Sequence, residues 1–422
     1  MRRFLISFFF IFFSLQIFVA IQTGEFNSPP PKGDALDYDN IAWNLTNGHG
    51  FGINFGDKDW QQSYLNSDLS EKYLSIFNTE ASFSPTAYRP PLLPILISIF
   101  YRVFGVKFWI WQIFSTIISA MAFSAACYIA YKSFGKRAAE ITALAACADI
   151  VFGLYLFNHY LTERLTLLLL VSLFILLSSG HKYSAISSGF VLGLLCLTRS
   201  IFIVWLPLIP LYILYSAETK RSKSALFCLG CALITISPWV IRNISLIGAS
   251  FPFGTQAASN LPVSYSDHAL KYDGVWSGRY KRELFLPYQD ELLEKQGIDR
   301  EVETAKIGKH LFLEWLPSNF MKIPDLIFER IYSLWWRHTY AFQKMLIVLS
   351  IVGLLLATGE FRRIAVLFLL MNTIAVGLTW ALYQGRMLIP MHFIFYMASG
   401  IALNSLVKML YLDRSVSKTE RA

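Results

Sequence analysis

Three carboxylates, Asp34, Asp37 and Asp39, stand close together in the polar stretch GDALDYDNIAWNLTNGHGFG, residues 33–52. Such groups can serve as general bases, hold cations, or complement the N-terminal dipole of a helix. Tyr38, Ile41, Ala42 and Leu45 follow at helical spacing, and Gly48, Gly50 and Gly52 end the pattern. The carboxylates therefore open a short helix, expected over 35–46. Asp37 and Asp39 also have Asp-x-Asp spacing, which leaves a divalent cation open. Glu163 ends the segment HYLTE, and His159 lies one helical turn before it on the same face. The basic candidates are Arg89, ahead of Pro90 and Pro91, Arg199 between two apolar runs, and Arg242 and Arg386 at the ends of others. A guanidinium presents a planar fork of donors suited to phosphate. Each residue also has a structural reading: Glu163 paired with Arg164, Arg89 snorkelling at a helix end, and the other arginines in ion pairs. Asp149, deep in AACADIVFG, is costly there unless partnered. It is expected as a packing residue or as tunnel lining. Cys228 and Cys231 form a lone CxxC with no second pair, read as small thiols between helices. Asn44 and Asn243 begin glycosylation sequons.

The elements that carry these residues are membrane helices. Of 422 residues, 55% are hydrophobic and 15% charged, and the apolar ones fall in runs of about 15–22, the length needed to cross a bilayer. The net charge of +9 sits in short loops between those runs, the pattern of cytoplasmic loops rather than of nucleic-acid binding. Arg2 and Arg3 precede the first apolar run, read as a retained helix with its N-terminus in the cytoplasm. Residues 23–90 then form a first extracytoplasmic loop. Segment 91–104 is short, and the positive-inside pattern is kept if it lies in the interface or re-enters. Spans follow at 108–131, 138–160, 164–179, 184–198, 201–216 and 225–241. After a late extracytoplasmic loop over 242–340 come 344–358, 364–383 and 387–411, making about ten spans and a cytoplasmic C-terminus. Short amphipathic helices are expected near 35–46 and 280–296. The organisation is a single all-α, polytopic membrane domain over 1–420.

In that order, the motifs resemble the GT-C glycosyltransferases of the family 39 group, which includes protein O-mannosyltransferases and lipid A aminoarabinose transferases. Asp34, Tyr38, Ala42, Leu45 and Gly48 to Phe51 follow the group's first-loop pattern. YRPPLLPILISIFYRVFG (88–105), HYLTERLTLLLL (159–170), GLLCLTRSIFIVWLPLIPL (193–211), SPWVIRN (237–243) and GRMLIP (385–390) follow further landmarks. Several members carry Asp-Glu where this chain has Asp34 and Ala35, a departure from the mannosyl and aminoarabinose branches.

The resemblance implies an inverting sugar transfer from a polyprenyl-phosphate donor to a hydroxyl of a lipid, glycan or protein acceptor, at the outer face of the plasma membrane. Asp34 would be the general base and Glu163 a second site carboxylate. Arg89, Tyr38, Arg199, Arg242, Arg386 and His159 would hold substrate or donor phosphate. Two other classes compete: a transporter or flippase of lipid-linked saccharides, and an O-antigen ligase or polymerase. No internal repeat favours the transporter, and the carboxylates concentrate on one outer face.

Overall fold

The structure is a computed structural model; it describes residues 1–65, 77, 81–152, 160–179, 181, 183–216 and 221–419. The apolar runs become helices because a backbone in hydrocarbon must satisfy its own hydrogen bonds. They are Arg2–Gln22, Phe108–Phe134, Lys136–Phe152, Glu163–Leu177, Ser184–Thr198, Trp205–Ser216, Arg221–Ile247, Ala341–Leu356, Gly359–Leu378 and His392–Thr419. Among the described residues five helices are long and apolar enough to cross a bilayer, or six if Gly297–Arg337 and Ala341–Leu356, bent by 103°, count as one broken span. That count is lower than the about ten crossings expected from the sequence, because the remaining apolar runs form helices shorter than a full crossing. Ser184–Thr198, for example, has 15 residues, or about 22 Å. The last span, expected over 387–411, is Arg386–Met409; its first residues belong to the 3-10 segment Tyr383–Met391, and the α-helix starts at His392.

The bundle closes on small residues. A Cβ at Gly189 would lie 2.1 Å from the Cys228 carbonyl oxygen, and one at Gly353 would lie 1.8 Å from that of Ala398. These glycines let Ser184–Thr198 approach Arg221–Ile247, and Ala341–Leu356 approach His392–Thr419, at backbone distance. Cys228 and Cys231 are free thiols, and Cys228 belongs to the first of these contacts. Deep in the bundle Asp149 takes a hydrogen bond from Tyr340 Oη at 2.6 Å, another from Tyr396 Oη, and lies 2.8 Å from His392 Nδ1. It is therefore buried and partnered within the bundle.

Over one end of the bundle sits a polar layer. Helix Asp34–Thr46 packs on Leu92–Phe104, whose 13 residues span only about 20 Å. The latter helix buries Leu93, Ile97 and Tyr101 against it and exposes Ile95, Ile99 and Val103, as an interfacial helix would. Gly52–Ile53 pairs antiparallel with Ser84–Pro85. The late loop is built of short helices, the longest being Gly297–Asn319. The amphipathic helix expected at 280–296 is two pieces, Gly278–Phe285 and Gln289–Leu293, because Pro287 interrupts it. Both sequon asparagines, Asn44 and Asn243, are fully buried, with their amides bonded to backbone carbonyls.

Candidate active site

Gly33 turns the chain with φ +97° and caps helix Asp34–Thr46. A glycine suits that left-handed backbone. The helix then places Asp34 and Asp37 three residues apart on one face. Arg89 comes to the same face because Pro90 and Pro91 start the helix packed beneath. Its Nη2 lies 2.8 Å from Asp34 Oδ1 and 2.6 Å from Asp37 Oδ2, and its Nε donates to Asp37 Oδ2 at 2.8 Å. The guanidinium lies over the Tyr38 and Tyr88 rings, at 5.7 and 4.9 Å.

Asp39 faces the other way, since two residues turn a helix by about 200°. It is fully buried and accepts hydrogen bonds from Trp60 Nε1 at 2.8 Å, Tyr64 Oη at 2.6 Å and Tyr101 Oη. The Asp37–Asp39 spacing therefore does not form a cation pair. Among the described residues no three His, Cys, Asp or Glu side chains gather as a metal site. Asp34 and Asp37 share a guanidinium at the place a cation bridging them would need.

A second cluster joins the first through Arg386. Glu163 begins helix Glu163–Leu177, and the Tyr383–Met391 segment packs on that helix. Arg386 Nε donates to Glu163 Oε1 at 2.6 Å, and its Nη2 lies 3.6 Å from Asp34 Oδ2. Arg199, in extended backbone where Ser184–Thr198 ends, reaches Glu163 Oε1 at 3.5 Å and donates to Met387 Sδ at 2.9 Å. Glu163 Oε2 is buried without a hydrogen-bond partner. The alternative pairing of Glu163 with its neighbour does not form: Arg164 donates to Thr116 instead.

Asp37, Arg89, Asp34, Arg386, Glu163 and Arg199 thus alternate in charge along one wall. Asp34, Arg89, Arg386 and Arg199 border a cavity of about 450 Å³, whose lining also includes Lys32, Tyr38, Gln256, Asn260, Trp276 and Trp380. Four basic side chains and one carboxylate in that lining suit an anion with a basic group beside it. Burial raises the Asp34 carboxyl, but Arg89, Arg386 and Arg199 together outweigh it and hold Asp34 below the ordinary value. For Asp37 burial wins over Arg89, and its carboxyl is raised. Burial likewise pushes the Tyr38 phenol up.

Of the residues singled out in the sequence, Asp34, Tyr38, Arg89, Arg199 and Arg386 border this cavity, and Glu163 braces two of the arginines. Arg242 does not border it. Its Nη1 and Nη2 donate to the carbonyls of Thr86 and Phe51 at 2.7 and 3.0 Å, and its guanidinium lies over Trp239. His159 lies outside the described residues. Sequence reasoning left Asp37 out of the site, although its i,i+3 relation to Asp34 was a usable signal. The lining residues Gln256, Asn260, Trp276 and Trp380 had none.

The family model for dolichyl-phosphate-mannose-protein mannosyltransferases matches residues 88–241, which carry Arg89, Glu163 and Arg199. No curated protein matches the chain in sequence. Among solved structures, the oligosaccharyltransferase AglB from Archaeoglobus fulgidus, in complex with an inhibitory peptide and a dolichol-phosphate, superposes with a TM-score of 0.53 at 12% identity. The match covers 99% of this chain and 52% of that one. The apo oligosaccharyltransferase of the same organism gives 0.52 at 13%, covering 98% and 52%. ArnT from Cupriavidus metallidurans bound to undecaprenyl phosphate gives 0.42 at 12%, covering 93% and 77%. The chain spans about half the length of the oligosaccharyltransferase chains it matches, and the likeness to them is one of fold.

Proposed function

We propose that this chain, a multi-pass membrane protein with the GT-C fold, is a glycosyltransferase that takes a sugar from a polyprenyl-phosphate donor and passes it to an acceptor hydroxyl with inversion. The observation that carries this reading is the convergence of Arg89, Arg199 and Arg386 with Asp34 on one cavity. A sugar phosphate needs its departing anion stabilised, and preorganised guanidinium groups in a water-poor pocket do that well. The lipid tail of the donor would lie along the apolar helices under the polar layer.

In this mechanism the donor phosphate enters against the arginines and competes with Asp34 for Arg89 and Arg386. Losing that pairing restores the basicity which the arginines suppress in the free protein. The acceptor oxygen attacks the anomeric carbon opposite the phosphate, and the bond from that carbon to the phosphate oxygen breaks. The proton of the acceptor passes to the Asp34 carboxylate. Glu163 keeps Arg386 and Arg199 turned toward the cavity. Acceptors in reach of this chemistry are hydroxyls of a lipid, a glycan or a protein. The basic loops support a topology with both termini in the cytoplasm and the cavity at the outer face of the plasma membrane.

The test uses purified protein in nanodiscs with a panel of radiolabelled polyprenyl-phosphate sugars, with and without EDTA. Release of sugar from one donor, insensitive to EDTA, is expected. Failure to bind or turn over every donor in the panel refutes the reading.

A further inference from the structure

The strap Ser84–Tyr88, which runs directly into Arg89, is held almost residue by residue by the late loop. Ile298 N donates to Ser84 Oγ at 2.9 Å. Thr255 N donates to the Ala87 carbonyl at 3.2 Å, and Lys281 Nζ to Tyr88 Oη at 3.2 Å. At the centre stands Glu301, on helix Gly297–Asn319. Its Oε2 accepts from Thr86 Oγ1 at 2.6 Å, and its Oε1 from Ala87 N at 2.9 Å and Thr255 Oγ1 at 2.5 Å. Two glycines make the fit possible. A Cβ at Gly254 would lie 2.2 Å from the Ala87 carbonyl oxygen, and one at Gly297 would lie 2.2 Å from Ser84 Oγ. Both have positive φ, so a side chain there would be strained as well as crowded.

We propose that Glu301 is a positioning residue: by fastening Thr86 and Ala87 to the late loop it sets where the Arg89 guanidinium stands in the cavity. The inference rests on the reading of Arg89 as a ligand of the donor phosphate. The geometry supports it in three ways. Glu301 uses both carboxylate oxygens on the strap and its late-loop support. Ala87, whose amide it takes, is two residues from Arg89. Thr86 and Thr255 are buried, so their hydroxyls have no water to turn to if the carboxylate is removed. Among the described residues Glu301 makes no hydrogen bond to a residue lining the arginine cavity, and its effect must pass through the strap. Glu303, two residues on, is occupied instead by Lys295 and Lys306 at 2.9 and 3.3 Å and serves as a control on the same helix.

The experiment compares wild type, E301A, E301Q, E303A and R89Q, each shown to be monodisperse in nanodiscs. Two quantities are measured: hydrogen exchange of the 84–89 backbone by mass spectrometry, and affinity for undecaprenyl phosphate as the probe. In E301A the strap should exchange faster, and the affinity should fall about tenfold, the scale of one buried group losing its partners. E301Q keeps an acceptor for Ala87 N and a polar partner for Thr86, and should recover most of both. E303A should behave as wild type, and R89Q should mark the full loss of affinity. Faster exchange in E301A with unchanged affinity overturns the link to Arg89, and an equal loss in E303A overturns it as general destabilisation. If wild type does not bind the probe, or R89Q binds it equally well, the phosphate reading of Arg89 fails. Exchange then decides the strap alone, and unchanged exchange in E301A sinks that too.

Discussion

Replacing Asp34 by asparagine separates a base from a merely structural carboxylate, because the two roles predict opposite effects on donor affinity. The amide of D34N still offers an oxygen to Arg89, and Asp37 still holds that guanidinium through two of its nitrogens, so the arginine stays in place. What disappears is one negative charge 2.8 Å from Arg89 Nη2. A phosphate oxygen bound to the same nitrogen would stand about 5 Å from it, where like charges repel by roughly 3 kcal/mol at an effective dielectric of about 20. The Asp34 side chain is 37% exposed, and screening reduces this to about 1–2 kcal/mol, a gain of roughly fivefold to thirtyfold in affinity. Loss of the base lowers kcat by about a hundredfold to ten-thousandfold. Undecaprenyl phosphate binding and single-turnover transfer measure the two effects. The wild-type pH profile adds a check of sign. In the free protein the arginines hold Asp34 below its ordinary value, so its carboxylate persists to low pH and the acid limb of kcat/KM lies low. In the substrate complex the phosphate draws those arginines away, the Asp34 pKa rises, and the acid limb of kcat lies at higher pH. Retained turnover in D34N, weaker lipid binding there, or a kcat limb at the lower pH refutes the reasoning.

Two further outcomes test the supports of the site. Glu163 is 3% exposed and takes Arg386 at 2.6 Å, so R386Q leaves a buried carboxylate with only Arg199 at 3.5 Å. Breaking a buried pair costs about 3–5 kcal/mol; R386Q should therefore lower the melting temperature in detergent, and E163Q/R386Q should recover part of it, whereas additive losses would show that the two do not interact. G353A drives a methyl into the Ala398 carbonyl and should destabilise by about 1–3 kcal/mol. G230A, with open space around it, should not, and equal melting of the two variants would deny the close helix contact.

The site was partly legible in one dimension. Asp34 at the opening of a helix followed from the 3.6-residue period of Tyr38, Ala42 and Leu45 and from the glycines beyond. Arg89 could be placed near a helix start because prolines follow it. The same local reasoning failed for Arg242. A positive charge at a helix end looks identical in sequence whether its donors meet a phosphate or, as here, the carbonyls of Thr86 and Phe51. Asp-x-Asp spacing at Asp37 and Asp39 likewise names no ligand pair, because on a helix its two members diverge.

By itself the sequence determined the bundle, through runs of apolar residues that have to become helices in hydrocarbon, and it determined which polar segment carries the acidic helix. Period and hydropathy are properties of neighbours along the chain, so both can be read there. The tertiary structure alone decided that Arg386 bonds Glu163, 223 residues away, that Arg199 joins them, and that Glu301 fastens a strap 214 residues before it. Those pairings depend on which helix ends meet when the bundle closes on Gly189 and Gly353. No local pattern encodes them, because they are set by packing among segments far apart in the chain.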